Sequence, residues 1–219
     1  MSSVHRKRAR IAGLTVVAAG AAGFILPGCS DDPPERTPAA ARTEAPGQEA
    51  PGEAAAGAEV AGADLEEFRH DQAGFALSYP KGWVRPQSSD PQVVLIAAEN
   101  EPAENRGGSI LARVSALEAP VGREQLAEVR TVTDAIVRLG NNVEVKTDPT
   151  EIDQAGVPGL YYLYTFEDPV SRQRGAHSHY FLFHGKTMVS LVFQALPAED
   201  FSRLAPLLDR VAHSFRILS

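Results

Sequence analysis

The order of the predicted elements indicates an α+β fold in which an antiparallel β-sheet is flanked by helices. Alternating apolar and polar residues, typical of strands, occur on both sides of a central segment with helical spacing. A second segment with helical spacing follows the last strand, and turn residues separate the segments. Strands, a helix, further strands and a final helix therefore predict an α+β or α/β/α sandwich.

The first half of the domain contains four predicted strands and a helix. Phe75, Leu77 and Tyr79 alternate with small or polar residues, and the turn at 71–74 makes this segment the second strand of a hairpin. Gly-Asn-Asn at 140–142 ends the helix, as expected of a left-handed cap. The strands of this half are predicted over 66–70, 75–79, 93–97 and 109–117, and the helix over 123–139.

The second half returns to strands and closes with a helix over 200–215, which carries apolar residues along one face. Pro206 falls early in this helix and predicts a short, tight turn before the regular part. Strands are predicted over 143–146, 160–167, 177–183 and 187–195.

The N-terminal 28 residues have the three parts of a bacterial export signal. Basic residues at 6–10 precede an uncharged apolar run over 11–26, and Gly28 lies directly before Cys29. The Cys29 thiol can take a diacylglyceryl group as a thioether, and cleavage after Gly28 would make Cys29 the first residue of the mature chain. This pattern resembles the bacterial lipobox, from which Pro27 departs. We predict a lipoprotein signal peptide over 1–28 and lipid attachment at Cys29.

Two alternatives to a lipid anchor concern the same segment. As a helix, its sixteen apolar residues would rise ~24 Å, which is short of the ~30 Å hydrocarbon core and disfavours a permanent transmembrane helix. Cys29 could also be an incidental free thiol. Two acyl chains, at ~0.8 kcal/mol per buried CH₂, would anchor the protein stably. We predict a lipid-anchored protein on the extracytoplasmic face of the cell membrane.

Residues 29–64 form a predicted linker. They are rich in Ala, Pro, Gly and Glu and poor in large apolar side chains, so they cannot bury enough surface to offset the entropy of ordering them. Every Tyr, the single Trp83 and every Phe except Phe24 lie within 65–219. We predict a disordered spacer that carries one domain over 65–219 away from the bilayer.

Charge and cysteine content exclude some classes of protein. Removal of the four basic residues of the leader changes the formal charge from −7 to −11. Nucleic-acid binding needs concentrated Lys and Arg, so we predict no nucleic-acid partner. Cys29 is the only cysteine, so the core alone must stabilise the domain, without disulfides.

Two stretches and the order of the elements resemble the Mog1/PsbP-like fold, an α/β/α sandwich. The stretches are DQAGFALSYPKGW at 71–83 and HSFRI at 213–217. With the lipobox and the Ala/Pro linker, the chain resembles actinobacterial lipoproteins of the LpqN/LpqT-like kind. These motifs are structural, so the resemblance assigns no catalytic or ligand-binding residue. It implies an interaction module at a membrane or on a protein complex.

The domain lacks the patterns that are typical of a catalyst. No Gly-x-Ser-x-Gly motif occurs, and no thiol remains once Cys29 is acylated. We predict that the protein is not an enzyme and needs no cofactor.

A pair of histidines is the one candidate for metal binding. His177 and His179 lie two residues apart on a predicted strand, so both rings project from one face and could reach one ion, with Asp168 as a conceivable third ligand. Phe181 and Phe183 continue that face, which favours packing instead. We predict no metal site.

Tyrosines form a second notable group. Tyr162, Tyr164 and Phe166 share one face of a strand, and Tyr161 lies on the other. We expect most of them in the core, and the alternative is an aromatic-lined groove between sheet and helix that holds an apolar ligand.

Two functions are compatible with these features. The first is a non-catalytic interaction module for envelope or transport complexes, anchored to the membrane through Cys29. The alternative is a binding or carrier protein for a lipid or another amphiphile. An apolar pocket open to the surface would favour the carrier, whereas a filled core with an exposed apolar patch would favour partner binding.

Overall fold

A computed structural model of the chain describes residues 62–99 and 107–218. The predicted signal peptide, its cleavage site at Gly28 and Cys29, and nearly all of the predicted linker lie outside these residues. Within the described residues, neither helix has the length and apolarity that crossing a membrane requires.

Ten strands and two α-helices make up the described part of the chain, and a single turn of 3-10 helix, Arg123–Gln125 or Ala198–Asp200, precedes each α-helix. The elements are β1 Leu65–His70, β2 Phe75–Pro80, β3 Val93–Ala98, β4 Gly107–Ala116, α1 Leu126–Val137, β5 Glu144–Val145, β6 Thr150–Gln154, β7 Val157–Glu167, β8 Arg174–His184, β9 Thr187–Leu196, α2 Phe201–His213 and β10 Arg216–Ile217.

The strands form two antiparallel sheets. The larger has seven strands in the order β3-β4-β9-β8-β7-β5, and β6 pairs with β7 beside β5. The smaller has three strands in the order β1-β2-β10. Short connections join β7 to β8 and β8 to β9, and Gly185 provides the positive φ of 57° that the second turn requires.

Two hydrophobic cores lie on opposite faces of the large sheet. On one face, the small sheet and α2 cover Leu191 and Phe193 of β9, and the two-residue period of β9 brings Val189 and Ala195 to the same side. On the other face, α1 packs its apolar side over β7 and β8. Helices therefore cover both faces of an antiparallel sheet, which confirms the predicted α+β fold class.

The structure departs from the sequence prediction in two respects. The predicted single sheet is two sheets, because two-residue β10 pairs with β2 from the far end of the chain. The tight turn predicted around Pro206 is also wrong, since α2 begins at Phe201 and Pro206 is its sixth residue. Pro206 has no amide N–H to donate to the carbonyl of Ser202, four residues earlier in the helix. Ser202 is exposed, so water can reach this carbonyl.

Candidate functional site

The face of the large sheet that carries α1 is covered only in part. One row of side chains crosses five strands, from Ile96 on β3 through Leu111 on β4 and Val192 on β9 to His179 on β8 and Tyr162 on β7. The β7 end of this row lies beneath α1, where Tyr162 is 1% exposed. Leu111 and Val192 at the other end remain partly exposed.

The other end of this face is an apolar strip with a polar border. Ile96, Leu111 and Val192 belong to neither of the two core clusters; Ile96 is buried, whereas Leu111 and Val192 are partly exposed. Ser109 and Gln194 lie in the next row of the same face and are also partly exposed. We call these five residues the open strip.

A continuous chain of hydrogen bonds runs across the same face beside the open strip. Gln194 Oε1 lies 2.9 Å from His177 Nε2, and His177 Nδ1 lies 3.0 Å from Tyr164 Oη. Tyr164 Oη lies 3.2 Å from His179 Nδ1, and His179 Nε2 lies 2.6 Å from Ser190 Oγ. Three neighbouring strands, β7, β8 and β9, therefore share one polar network on a largely buried surface.

The Gln194 carbonyl fixes the direction of every bond in this network. Since Oε1 can only accept, His177 Nε2 donates and its Nδ1 accepts from the Tyr164 hydroxyl. The Tyr164 oxygen then accepts from His179 Nδ1, and Ser190 donates to His179 Nε2. Each imidazole is neutral with one defined tautomer, and all its polar atoms are satisfied.

Burial keeps both imidazoles neutral. It lowers the pKa of His177 to about 4, although the hydrogen bond to Gln194 acts in the opposite direction. Burial also lowers the pKa of His179 well below its usual value, and the neighbouring His177 adds to this shift. Stacked rings enclose the pair, with Phe166 4.1 Å from His177 and Phe181 3.9 Å from His179 between ring centroids.

The two histidines share a face, as predicted, but their ring nitrogens are all engaged. Each ring bonds Tyr164 through Nδ1 and a β9 side chain through Nε2. Asp168 lies in the β7–β8 turn, where its Oδ1 accepts bonds from the backbone of Val170 and Ser171. Among the described residues, no group of three potential metal ligands comes together. The arrangement supports packing and hydrogen bonding on this face.

Ser190 and His179 form a hydrogen-bonded pair, as a serine nucleophile and its general base do. The surroundings of this pair differ from those of a catalytic triad. Ser190 is 6% exposed, and the second nitrogen of His179 bonds a tyrosine hydroxyl and not a carboxylate. The pair therefore has a structural role within the polar network.

The predicted division of the tyrosines is confirmed. Tyr162 and Tyr164 are buried on the α1 face, whereas Tyr161 and Tyr180 lie on the opposite face with ring centroids 4.9 Å apart. Tyr180 also contacts Phe193 of the core, at 5.6 Å between centroids. Tyr162, Tyr164 and Tyr180 pack in or against the two cores, whereas Tyr161 is partly exposed and belongs to neither.

A cavity of about 350 Å³ lies at the other edge of α1. This helix forms one wall, and β5 together with the segment that follows β5 forms the other. Charged side chains from both walls line the opening, and Tyr162 contributes to its floor. No sequence pattern indicated this cavity, because its walls come from segments that only the fold brings together.

Comparisons with known proteins identify the fold. No protein-family model and no curated protein matches the sequence. LpqN of Mycobacterium tuberculosis, described as involved in cell envelope biogenesis, is similar in structure with a TM-score of 0.55 and 15% identity, over 72% of this chain and 92% of LpqN. The chain has the Mog1/PsbP-like fold. The resemblance noted in the sequence is thus confirmed for the fold of the domain.

Two further solved structures show the same similarity at lower scores. The cyanobacterial PsbP of Synechocystis matches with a TM-score of 0.47 and 16% identity, over 71% of this chain and 93% of that protein. The Ran-binding protein Mog1p of Saccharomyces cerevisiae matches with a TM-score of 0.48 and 11% identity, over 72% of this chain and 97% of that protein.

Proposed function

We propose that this protein is an LpqN-like extracytoplasmic lipoprotein, anchored through Cys29, whose domain is a non-catalytic interaction module for a protein partner in the cell envelope. The open strip carries this proposal. It presents the partly exposed side chains of Leu111 and Val192 on two adjacent strands, next to the buried Ile96 and bordered by Ser109 and Gln194. An apolar patch with a polar border is typical of a protein interaction site.

The rigid support of the open strip favours recognition of a partner. Gln194 is held by His177, and the network beside the strip joins three strands. A surface whose side chains are already fixed loses little entropy when a partner binds. The likeness to LpqN, which is described as involved in cell envelope biogenesis, supports placing that partner in the envelope.

The cavity beside α1 gives no support to the alternative of an amphiphile carrier. A carrier needs an apolar chamber that reaches the surface. The cavity beside α1 reaches the surface, but five charged residues line it.

Site-specific photo-crosslinking in intact cells tests the proposal. A photoreactive amino acid is placed at position 111 or 192 in the open strip, and as a control at position 170. Val170 is 67% exposed in the β7–β8 turn, which contributes no residue to the open strip. We expect a discrete protein adduct, identified by mass spectrometry, from positions 111 and 192 and not from 170. Equal yields at all three positions, or no adduct at 111 and 192, would overturn the proposal.

A further inference from the structure

Two arginines line the cavity beside α1. Arg130 belongs to α1, and Arg138 is the residue that caps the C-terminal end of this helix. Neither guanidinium has a hydrogen bond or an ion pair with any residue in 62–99 or 107–218. A guanidinium carries five donors in a planar fork, so both side chains offer unused capacity to bind an anion.

The other arginines of the described residues are engaged. The structure describes eleven arginines, and eight of them have a side-chain hydrogen bond, an ion pair or a ring contact, while Arg210 also interacts with a neighbouring group. The Arg130 guanidinium interacts electrostatically with Tyr162. Both Arg130 and Arg138 line one cavity. Their arrangement is informative because residues 65–219 contain 20 acidic residues against 15 basic ones. Neither arginine forms an ion pair with an acidic residue that the structure describes.

Asp134 would be the obvious partner for both arginines, because it lies one helical turn from each. It makes a different contact. Its Oδ1 accepts a hydrogen bond of 2.7 Å from Tyr162 Oη, which also lies 2.6 Å from Thr133 Oγ1. The carboxylate is thus held against the floor of the cavity by Tyr162, and the two guanidinium groups are left for a ligand.

The opposite wall adds one further cation, Lys146, and one anion, Asp148. Lys146 follows β5 and pairs with Glu144 at 2.9 Å, so part of its charge is already compensated. Val137 and Val145 supply apolar surface between the charged groups. At about 350 Å³ the cavity is large enough for a small ligand and falls at the lower end of the range for ligand sites.

We propose that this cavity binds a small ligand through an oxyanion group, a phosphate or a carboxylate, held by Arg130 and Arg138. Arginine suits both groups, because its parallel N–H donors match two oxygens of either one. The oxyanion can belong to a free solute or to a lipid headgroup. This site goes beyond the proposed partner binding and does not depend on it, since it uses none of the residues of the open strip.

Calorimetric titration of the purified full-length chain at fixed ionic strength tests the site. The probes are inorganic phosphate, pyrophosphate and glutarate as free ions, and water-soluble glycerophosphoglycerol against glycerophosphocholine as the headgroup arm, because the proposed lipid anchor at Cys29 would insert into any vesicle. The variants are Arg130→Gln and Arg138→Gln. Arg69→Gln is the matched control, because Arg69 is an exposed arginine of the small sheet and its replacement changes the net charge equally.

We expect saturable binding of at least one free ion, or of glycerophosphoglycerol alone, with half-saturation below about 1 mM. Arg130→Gln and Arg138→Gln should each weaken this binding at least about tenfold, and Arg69→Gln should leave it unchanged. Binding of free ions identifies a soluble ligand, and binding of glycerophosphoglycerol only identifies a lipid headgroup. No saturable binding in either arm, or equal weakening by Arg69→Gln, would overturn the proposal.

A gain-of-affinity variant provides an independent check. Asp134→Asn removes a negative charge from the cavity and keeps an acceptor for Tyr162. We expect the affinity for the bound oxyanion to rise several-fold, because like-charge repulsion falls. An unchanged or lower affinity in a folded Asp134→Asn protein would contradict the placement of the anion in this cavity.

Discussion

The buried histidine network should make the domain less stable in mild acid. The pKa of His177 is about 4 in the folded protein, against about 6.5 for a solvated histidine in the unfolded chain. Between these values the unfolded chain binds a proton that the folded protein excludes. The free energy of unfolding therefore falls as the pH falls from about 6.5 towards 4.

The size of this effect follows from the two pKa values of His177. From pH 7 to pH 5 the unfolded histidine becomes almost fully protonated, while the folded one stays neutral. The resulting loss is about 2 kcal/mol. Because the residue keeps a partly exposed edge, this is the upper value for His177 alone. His179 contributes in the same direction, since burial also lowers its pKa.

Urea unfolding at several pH values between 7 and 5 measures the effect. The wild-type protein is compared with His177→Gln, which removes the titrating ring, and with His184→Gln, which removes an exposed imidazole at the end of β8. We expect His184→Gln to keep the wild-type loss of stability between pH 7 and pH 5, and His177→Gln to lose less by up to about 2 kcal/mol. If His177→Gln and the wild type lose equal stability over this range, His177 is not held neutral by the fold.

Three further predictions concern the anchor and the two cores. Cys29→Ser should release the protein to the medium or leave it uncleaved, with an unchanged domain; a membrane-bound protein with its leader removed would contradict lipidation. Gly175→Ala places a methyl group 2.5 Å from the Phe166 ring, so we expect a loss of about 1–3 kcal/mol in urea unfolding; wild-type stability would show that the ring moves freely. Leu204→Ala empties a fully buried position of α2 and should cost about 2–5 kcal/mol; a cost below 1 kcal/mol would contradict the packing.

The elements that the sequence predicted well are those whose pattern is local. Alternation predicted β8 and placed His177, His179 and Phe181 on one face, because a strand fixes that relation without any partner. β6 was missed, since its sequence TEIDQ carries a single large apolar residue. Pairing with β7 at the edge of the sheet makes it a strand.

The site depends on register, which no local pattern specifies. The bond between His177 and Gln194 exists because β8 and β9 pair these two residues directly. A shift of one residue would place Gln194 on the opposite face and leave His177 Nε2 without its acceptor. The sequence drew attention to His177 and His179 as possible metal ligands, but the partners that occupy their nitrogens appear only with the fold.

The two proposed sites lie on one face of the same sheet and are separated by α1. In the strand order, β9 of the open strip and β5 beside the cavity are separated by β8 and β7. At about 4.8 Å per strand, some 14 Å lies between them. The strip and the cavity share no residue, so Arg138→Gln should leave the crosslink at position 192 unchanged. If Arg138→Gln abolished that crosslink while phosphate titration of the isolated protein showed no site, the arginines would belong to the partner surface instead.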